Sequence, residues 1–98
     1  MVKYSSSTKS QCSEEWFSLT LHEVVYSFGV QEELIIEIIE EGIVSPAKNK
    51  QGELQFDSEA LSSIHTAIRL NRDLGINMPG AALVLELMHE IDRLRQKT

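Results

Sequence analysis

The sequence predicts one mainly α domain: two short helices about a tight turn, a small β-hairpin, then two longer helices. Three observations predict it. Apolar residues recur at helical spacing in Leu34/Ile35/Ile38/Ile39, in Leu61/Ile64/Ile68 and in Val84/Leu87/Ile91/Leu94. Helix-boundary residues bracket these runs, among them Thr20 with Glu23, Gly29, Gly42 and Gly75. Between the second and third helices a polar stretch, Lys48 to Gly52, precedes an alternating Leu54-Gln55-Phe56, which reads as a hairpin.

The chain has 98 residues, enough for one domain and one modest core. Residues 1–14 are polar and rich in Ser and Thr and read as a flexible leader; residues 15–98 read as the domain. No apolar run approaches the ~20 residues of a membrane span, and the N-terminus has no signal-peptide core. The single cysteine, Cys12, excludes an internal disulfide and a cysteine-rich zinc site, and its thiol in the leader has no evident role. The compartment expected from this is the cytoplasm.

Each element has its own local reason. Trp16 to Thr20 alternates and reads as a short strand, with Trp16 and Phe17 as anchors closing the core. Thr20-Leu-His-Glu23 is a capping box and opens a helix over 21–28. Gly29 permits the left-handed backbone that ends it. A second helix runs from Gln31 to Glu41, its apolar doublets on one face and Glu33, Glu37, Glu40 and Glu41 away from them. Ile36 sits among these carboxylates and should be partly exposed. Two short helices about a glycine turn make a helix-turn-helix, and the hairpin after Pro46 is its wing. Asp57 or Ser58 caps a third helix, whose expected core stripe is Ala60, Leu61, Ile64, Ala67, Ile68 and Leu74. Pro79, in the first turn, starts a long C-terminal helix. Its Val84/Leu87/Ile91/Leu94 seam can pack on the third helix or join two copies of the chain. Met78 and Met88 read as core fillers.

Net charge is −6, and its distribution matters more than its size. Residues 1–20 sum to zero. Residues 46–98 also sum to zero, Lys48, Lys50, Arg69, Arg72, Arg93, Arg95 and Lys97 balancing Glu53, Asp57, Glu59, Asp73, Glu86, Glu90 and Asp92. Residues 21–45 hold Glu23, Glu32, Glu33, Glu37, Glu40 and Glu41 and no Lys or Arg. The whole net charge lies there. Such a face repels phosphate and attracts a basic partner; its plain alternative is a solvated helix surface.

The chemistry of enzymes is not in evidence. There is no glycine-rich phosphate loop, no Cys–His pairing and no nucleophile motif, and the expectation is a non-enzyme without cofactor. His22, His65 and His89 are widely spaced, and none has a second ligand at helical spacing, so no metal site is expected.

The order helix-turn-helix, Gly42-Ile-Val-Ser-Pro46, wing with Gly52, and Phe56-Asp57 opening a helix that ends in Arg72-Asp-Leu-Gly75 resembles the MerR-type winged helix. The resemblance covers residues 18–97. Ile68-Arg-Leu, Asn77-Met-Pro-Gly80 and the run Leu87-Met-His-Glu-Ile91-Asp-Arg-Leu94 make it most similar to the CbpM-like chaperone modulators. The departures are informative too. Where DNA-binding relatives carry Arg-Tyr-Tyr-Glu-Arg before the exit, this chain has Ile36, Glu37, Ile38, Ile39 and Glu40. Where their wing reads Gly-Tyr-Arg-x-Tyr, it has Gly52-Glu-Leu-Gln-Phe56. A duplex binder needs cations at those places, and Lys48 and Lys50 at a loop tip do not replace them.

The resemblance implies a protein–protein interaction module. It would bind the J domain of a DnaJ-like cochaperone of the CbpA type and lower its stimulation of a DnaK-type chaperone. The expected contact residues are Glu33, Ile36, Glu37, Glu40 and Glu41, with Glu86 and Glu90 of the last helix as additions. The last two form an i, i+4 like-charge pair that Arg93 or Arg69 can neutralise within the fold. The alternative is a MerR-type transcription regulator whose dimer sets Lys48 and Lys50 against phosphates.

Overall fold

The computed structural model describes residues 18–97. The elements are β1 (Leu19–Thr20), α1 (Leu21–Phe28), α2 (Glu32–Glu40), β2 (Ala47–Lys48), β3 (Leu54–Phe56), α3 (Ser58–Leu74) and α4 (Met78–Lys97). Trp16, Phe17, Cys12 and the rest of the expected leader lie outside the described residues.

The cap expected at Thr20 forms in full. The Glu23 amide donates to Thr20 Oγ1 at 3.2 Å, and the Thr20 amide donates to Glu23 Oε1 at 2.9 Å. Gly29 closes α1 at φ 65°, a region that costs other residues roughly 1–2 kcal/mol. Its amide donates to the carbonyls of Val25 and Tyr26. This sharp stop turns α2 back against α1 and makes the helix-turn-helix.

The expected strand over 16–20 is seen as Leu19–Thr20, and it pairs with the wing. The sheet has the order β1-β3-β2, antiparallel, with Leu19 opposite Phe56, Thr20 and Ala47 flanking Gln55, and Lys48 opposite Leu54. Asn49 shapes the wing turn. Its Oδ1 accepts from the Gln51 and Glu53 amides, both at 2.9 Å, and its Nδ2 donates to Glu53 Oε1 at 3.0 Å.

Asp57, not Ser58, caps α3, accepting from the Ala60 amide at 2.8 Å. Asn77 does the same for α4 through the Gly80 amide, also at 2.8 Å. Gly80 is needed for space: a Cβ there would meet Ile76 Cγ2 at 2.8 Å. That explains in physical terms one residue of the Asn77-Met-Pro-Gly80 run.

The core joins all four helices and the wing. Phe56, Ile35, Ile38, Ile64 and Val24 are fully buried, and Ala67, Ile68, Val44, Met78, Ala81 and Leu85 complete it. Two expectations are corrected here, and one alternative is narrowed. Leu74 is not core but 68% exposed. It falls off the Ile64/Ala67/Ile68 stripe, which continues to Asn71, whose amide instead bonds the Ile76 carbonyl at 3.0 Å. Met78 is buried, but Met88 is 46% exposed and fills no core. Of the α4 seam, Val84 is half-buried, but Leu87, Ile91 and Leu94 are 53, 51 and 52% exposed. The reason is rotation. Met78, Ala81 and Leu85 face inward, and at about 100° per residue Leu87 points roughly 200° past Leu85.

Candidate partner-binding surface

Helix α2 is anchored by Ile35 and Ile38, with Leu34 and Ile39 half-buried beside them. That anchoring forces Glu33, Glu37 and Glu40 onto the outer side, where all three are exposed. Glu41 follows as the exposed C-cap. Ile36 is half-buried at the edge of this row, as its position among the carboxylates predicts.

The row works against its own helix. Glu32 and Glu33 suit the positive N-terminal end, but Glu40 and Glu41 stand at the negative end, where the last turn has no basic residue. Glu33–Glu37 and Glu37–Glu41 are like-charge i, i+4 pairs, each unfavourable by about 0.2–0.5 kcal/mol. Among the described residues no cation pairs with any of these carboxylates. Among the described residues nothing offsets this repulsion, and the row lies open to solvent.

The two added candidates differ. Glu86 and Glu90 are exposed on α4, and no described interaction links them to α2. Arg93 pairs with Glu90 within the helix. Arg69 does not reach them; it pairs with Asp73 at 3.5 Å. Of the three histidines, His65 stacks on Phe28 with ring centroids 6.2 Å apart. Among the described residues no three His, Cys, Asp or Glu side chains come together to hold a metal ion, and no helix is long and apolar enough to cross a membrane.

One exposed side chain was not singled out by the sequence. Tyr26 on α1 is 85% exposed. Its signal is weak but present: it stands four residues after His22, on the side away from the buried Val24.

Residues 19–98 match the family model described as MerR HTH family regulatory protein. The chain is 36% identical over 80 residues to the chaperone modulatory protein CbpM of Citrobacter koseri, covering 82% of this chain and 79% of that protein. The chaperone modulatory proteins CbpM of Salmonella paratyphi B and Salmonella newport are each 35% identical over the same spans. The chain belongs to the CbpM family. Its fold is the MerR-like winged helix-turn-helix, and the family is one of chaperone modulatory proteins. In this CbpM-family chain the second helix of the motif carries carboxylates outward, and the wing position that bears arginine in DNA-binding relatives is Leu54, half-buried against the core.

Proposed function

We propose that this protein binds the J domain of a DnaJ-like cochaperone of the CbpA type and inhibits its stimulation of a DnaK-type chaperone. Glu33, Ile36, Glu37, Glu40 and Glu41 carry the contact, with Glu86 and Glu90 adding long-range attraction. The observation that supports this most is the uncompensated carboxylate row of α2, which weakens its own helix and lies open to solvent. A basic helix laid on that row would relieve the repulsion, and Ile36 offers an apolar contact at its edge. Covering the partner's basic surface is sufficient for inhibition, and no catalysis by this protein is required. It acts in the cytoplasm, where its partner works.

The protein acts as a dimer joined through α4. A second copy would cover Leu87, Ile91 and Leu94, which the core leaves exposed. The test of the function is J-domain-stimulated ATP hydrolysis by a DnaK-type chaperone. Added protein should lower the stimulated rate and leave the basal rate unchanged, and Glu37→Lys with Glu40→Lys should restore the stimulation. A stimulated rate that does not move would contradict the proposal.

A further inference from the structure

A second surface flanks the acidic row, and it has the shape the row lacks. Between the outer side of α1, the start of α2 and the wing lies a trough of about 510 Å³. Its floor is apolar, made by Leu21, Val25 and Leu54; His22, Glu32 and Glu53 form its rim. Beyond His22 stands Tyr26, its ring almost wholly in solvent.

The carboxylates around α1 are not equivalent. Glu23 is occupied by the capping box and holds the Thr20 amide. Glu53 is fixed in place because Asn49 Nδ2 bonds its Oε1, which leaves Oε2 outside that bond. Glu32 has no partner among the described residues. The trough thus combines an apolar floor and two rim carboxylates, with the uncovered Tyr26 beyond His22; its helical side, residues 21–45, has no Lys or Arg, and Lys48 stands opposite Leu54 on the wing.

We infer that this trough is a second half of the cochaperone interface and takes an amphipathic basic segment, apolar side chains on Leu21, Val25 and Leu54 and a Lys or Arg between Glu32 and Glu53, with Tyr26 closing over it. Charge complementarity selects that occupant: a rim of this sign repels nucleic acid and acidic peptides. Burying an exposed aromatic ring beside a desolvated ion pair is the composition of a binding hot spot. A pinned carboxylate loses less freedom on binding than a mobile one. The inference rests on the proposed function and extends it from a charged stripe to a shaped site. The stripe steers and the trough selects.

The test is calorimetric titration of the J domain into wild-type protein, Tyr26→Ala, Glu32→Lys and the Glu37→Lys/Glu40→Lys pair, with amide chemical-shift mapping of the wild-type complex. Tyr26 is exposed, so its removal leaves the fold intact, which a thermal melt checks. Tyr26→Ala and Glu32→Lys should each weaken binding about tenfold, and shifts should appear over 21–27 and 53–54. Unchanged affinity in both variants, with binding still lost in the α2 pair, overturns the trough while the proposed function stands. Wild-type protein that does not bind the J domain at all overturns both.

Discussion

Helices α2 and α4 each set one side into the same core, and their outward sides are opposite in kind. The outward side of α2 is a line of carboxylates; that of α4 is a line of leucines and isoleucine. Neither side adds to the stability of the lone chain. The first costs the helix through like-charge repulsion, and the second leaves apolar area in water. The two sides suit different partners. A charged line gains from a basic partner and loses that gain in salt, whereas an apolar line gains from another apolar line and is indifferent to salt.

The largest effect is expected at α4. If the proposed α4 dimer forms, the wild type sediments as two 11.1 kDa chains and Leu87→Glu with Ile91→Glu sediments as one. Both residues are more than half exposed, so the melt should remain cooperative. A variant that stays dimeric would move the contact elsewhere. The reverse test is at α2. Glu37→Lys with Glu40→Lys should weaken cochaperone binding at least tenfold, about 1.4 kcal/mol, and leave the dimer unchanged. It should not lower thermal stability, because it removes like charges from a helix C-terminus. A fold that melts early would mean that the carboxylates serve structure after all.

Smaller effects sharpen the contrast between surface and scaffold. Thr20→Ala removes half of the capping box at α1 and should cost about 1 kcal/mol, a fall in Tm of about 4–8 °C for a domain of this size. The proposed self-association, measured well below that melt, should not change. The least effect is expected from Glu86→Gln, less than threefold in cochaperone affinity, because an exposed charge away from the α2 row acts only through the screened field.

These contrasts also mark how far the residues can be read without the fold. Caps and stops are local chemistry, so Thr20/Glu23, Gly29, Asp57 and Asn77 announce the helix boundaries from four or five neighbouring residues. The acidic row is legible for the same reason: helical spacing alone puts Glu33, Glu37 and Glu40 opposite Ile35 and Ile38. Periodicity shows that a helix has an apolar side but not what that side meets. Leu74 and Met88 are therefore read as core and prove exposed, and the Leu87/Ile91/Leu94 line stays open between two roles, since the inward side of α4 is set by where Met78, Ala81 and Leu85 find α3. The pairing of β1 with the wing is invisible for a similar reason. The alternation that ends at Leu19 and Thr20 marks a strand but not its partner, which lies more than thirty positions away. The trough shares that origin: Leu21, Glu32 and Leu54 come together only when sheet and helices are assembled.

The most direct test of the acidic surface is the dissociation constant for the J domain at about 50 and about 200 mM salt, with random duplex DNA as the parallel titrant. J-domain binding should weaken as salt rises, with no DNA binding at either concentration. J-domain affinity that ignores salt, or duplex binding in its place, would contradict the proposed acidic contact.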